Sequence, residues 1–145
     1  MDRAATRSVE LFESGYYCAE SVLLAIAEEK GIQSELIPKI ATGFCSGLSR
    51  TCGMCGAVSG AVMGVSLLTG RSAPDESFEE NYILVQSLIA RFQDRFGSID
   101  CRDLIGCDLN TVDGQEFFDQ NDLFDLCIKY VAEATTMALS LLKAP

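Results

Sequence analysis

Apolar residues recur along most of the chain at the three- and four-residue intervals of a helix face. Ala19, Val22, Leu23 and Ile26 form one stripe within residues 18–30, and Gly31 follows as a natural stop. Ser34 is placed to cap a second segment carrying Leu36, Ile37, Ile40 and Phe44, with Pro38 tolerable in its first turn. A third helix is expected from Thr51 or Cys52 to Thr69, closed by Gly70. The strongest stripe is Phe78, Tyr82, Val85, Ile89, Phe92 and Phe96, opened by Ser72 or Asp75 and ended by Gly97. The last helix runs from Asn121 to Leu142 with Leu123, Cys127, Tyr130, Ala134, Met137 and Leu141 on one side. Residues 98–115 read as a short helical turn and a loop. There is no strand-like alternation, internal repeat or linker. The expected fold is all-α, a single-domain helical bundle of about five to six helices over residues 1–145, joined by short loops.

Composition sharpens this picture. A chain of 145 residues buries about 68% of its unfolded surface without needing disulfides. Hydrophobic residues make up 48% of it, which argues against disorder. A net charge of −10 argues against nucleic acid or an anionic membrane surface as the main partner and suits docking on a basic protein surface. The N-terminal stretch MDRAATRSVELFESG lacks the apolar core of a secretory leader. The longest apolar run, residues 57–68, is shorter than the roughly 20 residues of a membrane span. A cytoplasmic location is expected, where clustered cysteines bind metal or do redox chemistry more often than they form disulfides.

Seven cysteines and no histidine set the candidate chemistry. Histidine-ligated zinc, c-type haem and Rieske-type ligation are excluded, so a metal site must use thiolates. Cys52 and Cys55 form a C-x-x-C that, on a helix, puts both sulfurs on one face; at a helix start the dipole also lowers a thiol pKa. They are the candidate catalytic pair. Cys101 and Cys107 need a turn to converge, which Gly106 supplies. Cys18 opens the first strong helix, either as a reactive N-terminal thiol or as core. Cys127 lies on the apolar stripe of the last helix, where periodicity alone favours plain core packing. Cys45 has no determined role. Gly56, Gly60 and Gly64 strip one helix face of side chains, which permits a close helix crossing or a homodimer contact. Nothing resembles a phosphate-binding loop, and a serine nucleophile lacks its histidine.

The segments GYYCAESVLLA, ATGFCSGLSRTCGMCGAVSGAVMGVSLLTG and CRDLIGCDL resemble the C_GCAxxG_C_C family of redox-active proteins over residues 8–140. The resemblance implies that Cys18 (or Cys52), Cys55, Cys101 and Cys127 form the site, with Gly56 and Gly60 in the cofactor-binding block. Cys45 and Cys107 are additions to that pattern. It implies redox chemistry and allows an iron–sulfur cluster serving electron transfer to a redox partner protein. A metal-free thiol–disulfide oxidoreductase built on Cys52 or Cys55 is the alternative. A structural zinc module using Cys52, Cys55, Cys101 and Cys107 is a third.

Overall fold

The computed structural model describes residues 1–143. Its elements are α1 (Arg3–Glu13), α2 (Cys18–Glu29), the 3-10 helix η1 (Lys39–Phe44), α3 (Cys45–Arg50), α4 (Gly56–Thr69), α5 (Glu79–Phe96), α6 (Cys101–Ile105), α7 (Val112–Gln120) and α8 (Phe124–Lys143). The all-α expectation holds among the described residues. The expected five to six helices become eight because α1 and the short α3, α6 and α7 add to the long stripes.

Helix α4 occupies the middle, packed on α2, α8 and α5, while α1 bridges α2 and α8. The core joins Val22 and Ile26 of α2 to Val58, Ala61 and Val65 of α4, Leu88 and Phe92 of α5, and Val131, Ala134 and Ala138 of α8, all fully buried. Each large member contributes about 1.5–3 kcal/mol by leaving water. The glycine face of α4 meets α2 at backbone distance. A Cβ on Gly60 would stand 2.6 Å from the Ala19 carbonyl oxygen, and one on Gly64 would stand 3.1 Å from Ile26 Cβ. The crossing read from the glycine spacing is this contact.

Helix α1 was not anticipated. Asp2 caps it by accepting the Ala5 N–H at 2.8 Å, and its buried side carries Ala4, Ala5, Ser8, Val9, Leu11 and Phe12. Arg3–Glu29 and Arg7–Glu28 pairs at 2.9 Å tie it to α2, but they are exposed and add little.

Three expected boundaries shift, each for a local reason. The segment capped by Ser34 is turns followed by η1 rather than an α-helix. The helix expected from Thr51 or Cys52 begins at Gly56 with Cys55 as its N-cap, because the chain before it runs left-handed. The helix expected from Ser72 or Asp75 begins at Glu79. There Arg71 donates to the Pro74 carbonyl at 3.0 Å, and the Glu76 carboxylate accepts the Ser72 N–H at 2.8 Å, closing a loop. The last stripe opens at Phe124 after a break at Asp122 (φ 52°), and α7 lies in the stretch before it.

The segment α3 is a turn of the opposite hand. Ser46, Gly47, Leu48 and Ser49 have φ of 57°, 63°, 54° and 58° with ψ between 39° and 69°. Arg50 and Cys52 also have positive φ, at 68° and 60°. L-residues pay about 1–2 kcal/mol each in this conformation. Part of the compensation is visible: Ser49 Oγ donates to the Gly43 carbonyl at 2.7 Å and Thr51 Oγ1 to the Leu48 carbonyl at 2.9 Å.

Candidate functional site: four thiols at four helix starts

Four cysteines reach one place because four helices start there. Cys18 is the first residue of α2, Cys55 the N-cap of α4, Cys101 the first residue of α6, and Cys127 lies in the first turn of α8. All four line one cavity of about 360 Å3. Its remaining wall is largely apolar, with Phe12, Leu104, Leu109, Phe118, Phe124 and Tyr130, while Arg50, Gln115 and Asp119 bring the polar groups. Phe12 and Phe124 stack at 4.4 Å, and Phe96 meets Tyr130 edge-on at 4.9 Å. The Tyr130 hydroxyl donates to the Leu104 carbonyl at 2.8 Å, fastening α8 to α6.

Backbone bonds set the register of two of the thiols. Met54 and Asp100 pair in antiparallel fashion. On either side, the Cys55 N–H donates to the Ile99 carbonyl at 2.7 Å and the Cys101 N–H to the Gly53 carbonyl at 2.8 Å. Cys55 and Cys101 are thus held across a miniature ribbon.

Glycines make room for the other contacts. A Cβ on Gly47 would overlap Cys101, and one on Gly56 would overlap the Cys18 sulfur. Gly56 also sits against the Ala19 amide and the Phe44 carbonyl, each 3.1 Å from where its Cβ would stand. On α2, Glu20 accepts the Tyr17 N–H at 3.0 Å and the Thr42 hydroxyl at 2.8 Å, which joins η1 to the helix start bearing Cys18.

Burial dominates the electrostatics. It pushes the Cys55 thiol up to about 12 even though the Ala57 and Val58 amides at the head of α4 favour its thiolate. It pushes Cys127 up to about 12 and Cys101 up to about 11, with neighbouring thiols adding to both. Tyr130 rises for the same reasons, burial first and then Cys127, Cys55 and Cys101. The expectation that a helix start lowers the Cys55 pKa is therefore corrected: desolvation outweighs the amides.

The other sequence candidates stand elsewhere. Cys52 does not share a helix face with Cys55, since it lies in the left-handed loop before α4. Burial and the neighbouring Asp108 raise its pKa. Cys107 lies by the same Asp108, next to Cys52 and Cys101, and burial is again the main cause of its raised pKa. Neither lines the cavity. Gly60 faces Ala19 and Val22 of α2 rather than the cavity, so its place is in packing, whereas Gly56 is part of the cavity wall. Cys45 is buried, donates to the Ala41 carbonyl at 3.7 Å and touches Cys18. Among the described residues, no three Cys, Asp or Glu side chains already stand at metal-ligating positions. Sequence reasoning passed over Gly47 and the aromatic wall. Only Tyr130 carried a signal, as a member of the last apolar stripe.

A family model described as "Putative redox-active protein (C_GCAxxG_C_C)" matches residues 16–141, nearly the whole chain. An all-helical chain whose thiols gather at helix starts thus belongs to this cysteine-rich redox family. It is also similar to an uncharacterized protein of the archaeon Archaeoglobus fulgidus, with 29% identity over 152 aligned positions covering 98% of this chain and 95% of that one. No solved structure matches. No helix among the described residues is long and apolar enough to cross a membrane.

Proposed function

We propose that this is an electron-transfer protein in which Cys18, Cys55, Cys101 and Cys127 hold an iron–sulfur cluster. The observation that carries this reading is their convergence on one cavity from the first turns of four helices. Thiolates are the natural ligands of such clusters. The donor set fits in number and type. When bound, a cluster supplies one-electron transfer.

The residues of the chain contribute the rest. At the head of α4 the Ala57 and Val58 amides favour negative charge on the Cys55 sulfur, although the Val58 N–H is already bonded to the Cys55 carbonyl at 3.0 Å. The wall of Phe12, Phe118, Phe124 and Leu104 makes the surroundings of the sulfurs largely apolar. Every cysteine whose shift is resolved is shifted upward, which leaves these thiols protonated and poor nucleophiles near neutral pH until a metal displaces the proton. That favours a thiolate-ligated cofactor over a metal-free dithiol centred on Cys52 or Cys55. The net charge of −10 suits docking on the basic face of a redox partner protein.

The test is purification without oxygen, followed by the visible spectrum and counts of iron, zinc and acid-labile sulfide per chain. Broad visible absorbance with matching iron and sulfide is expected, and Cys55→Ser is expected to abolish it. A colourless wild-type protein without iron, or a Cys55→Ser protein with the full spectrum, would overturn the assignment.

A further inference from the structure

Cys45 does not line the cavity but packs in contact with Cys18, a member of the cavity set. It is 4% exposed and packs in a small cluster with Ala19, Leu23 and Ala41, on which Cys18 also rests. The Cys45 thiol donates to the Ala41 carbonyl at 3.7 Å, and Cys18 packs against the same cluster. On its other side Cys18 lies over Gly56, and the Phe44 carbonyl, one residue before Cys45, faces that same glycine. The Cys18 sulfur therefore has a cavity on one side and a second thiol on the other.

We propose that Cys18 and Cys45 are a redox modification site, closing to a disulfide that withdraws Cys18 from the four-thiol set. The consequence for the set rests on the cluster reading above; the disulfide itself does not. The oxidant is a small peroxide reaching the cavity, where Cys18 is accessible and Cys45 is not. The Cys18 thiol gives up its proton and its sulfur attacks one peroxide oxygen; the O–O bond breaks, sulfur is oxidised to the sulfenic acid, and the departing hydroxide takes up the Cys18 proton as water. The Cys45 sulfur then attacks the Cys18 sulfur. The S–S bond forms, the S–O bond breaks, and the Cys45 proton leaves with the departing hydroxide as water. Two thiols and one hydrogen peroxide thus give one disulfide and two waters. Reversal needs an external dithiol, which is oxidised to its own disulfide as both protein thiols are regenerated.

The experiment uses the full metal-free chain, reduced and then treated under native conditions with one equivalent of hydrogen peroxide, quenched by alkylation and mapped by mass spectrometry. A Cys18–Cys45 linked peptide is expected as the main cross-link, lost on treatment with a dithiol and absent in Cys45→Ser, whose Cys18 stops at the sulfenic acid. A dominant Cys52–Cys107 or Cys55–Cys101 link, or Cys45 recovered fully alkylated, would overturn the proposal. Circular dichroism of Cys45→Ser and Cys45→Ala shows that both are folded before they are compared.

The second arm measures uptake of Co2+ alone by reduced and peroxide-treated protein, read from thiolate-to-metal absorbance. Uptake at least about tenfold weaker after oxidation is expected for wild type, and unchanged uptake for Cys45→Ser under the same mild treatment with its sulfenic acid reduced. Equal uptake by disulfide-linked and reduced wild type would overturn the withdrawal of Cys18. Failure of the cluster reading would show separately, as no iron in reduced wild-type protein despite a correctly mapped disulfide.

Discussion

The Cys18 sulfur lies directly over the α-carbon of Gly56, in the space a side chain would occupy at the head of α4. This contact joins the two helix starts that bring Cys18 and Cys55 to the cavity. Gly56→Ala is therefore expected to displace Cys18. The overlap is expected to cost about 1–3 kcal/mol in urea unfolding and to lower the iron bound per chain. Gly64→Ala, which crowds Ile26 further along the same crossing, is the control: a comparable loss of stability with iron content retained. Equal iron loss in both variants would mean that the helix crossing as a whole, rather than the Cys18–Gly56 contact, governs binding.

The left-handed turn makes opposite predictions for two neighbours. Gly47 has φ 63° and no room for a Cβ beside Cys101, so Gly47→Ala is expected to lose more than the roughly 1–2 kcal/mol of backbone strain alone. Leu48 has φ 54° and a largely exposed side chain, so Leu48→Gly relieves strain. Greater freedom of the unfolded chain offsets part of that relief, and a net gain of up to about 1 kcal/mol is expected. Denaturant midpoints measured at constant slope check both.

Alkaline pH is expected to weaken the metal-free protein. In the folded chain Cys101 titrates at about 11 and Cys55 and Cys127 at about 12, whereas unfolded thiols titrate near about 8.5. Above that lower value the unfolded state loses protons that the folded state keeps, so folding stability falls as pH rises from about 8.5 towards 11–12. Below about 8.5 the contribution is fully present. Thermal melts between pH 7 and 10 are expected to show this decline, and the Cys127→Ser variant, lacking one titrating group, a shallower one.

Metal binding reads the same protons from the other side. Ligation of Co2+ or iron by Cys55, Cys101 and Cys127 displaces a proton from each, so binding is expected to strengthen as pH rises from 6 to 8 and to acidify a weakly buffered solution. Calorimetry in buffers of differing ionisation enthalpy counts those protons. A pH-independent affinity would show that these three thiols are not the ligands.

Tyr130 fastens the wall. Tyr130→Phe leaves the Leu104 carbonyl without its 2.8 Å donor, and a loss of about 1–2 kcal/mol is expected. Because Leu104 is in the same short helix as Cys101, faster alkylation of Cys101 in the metal-free variant is expected as well.

Much of this was legible in the amino-acid order. The stripe from Phe78 to Phe96 and its Gly97 stop mark α5, whose C-cap glycine indeed has φ 87°. The four-residue glycine spacing announced the close packing of α4 on α2. What escaped was set by non-local forces. Ser46, Leu48, Ser49 and Arg50 are ordinary residues whose left-handed backbone no local preference would suggest, and it is this turn that keeps Cys52 off the helix and away from Cys55. Likewise α1 carries a capping Asp2 and a one-sided apolar face, but its short side chains Ala4, Ala5 and Ser8 gave a weak stripe. The family likeness, rather than periodicity, singled out Cys127, because a thiol on an apolar stripe looks the same whether it packs or ligates.

The pairing of Met54 with Asp100 has a consequence for how the protein comes to life. Its two short backbone bonds close a loop of more than forty residues, and the cavity beside it needs Cys18 from near one end of the chain and Cys127 from near the other. No early fragment leaving the ribosome contains the set. The thiols gather only when α8 has been synthesised and docked, so a cofactor they hold is acquired at the end of folding, and its presence certifies that the whole chain has found its place.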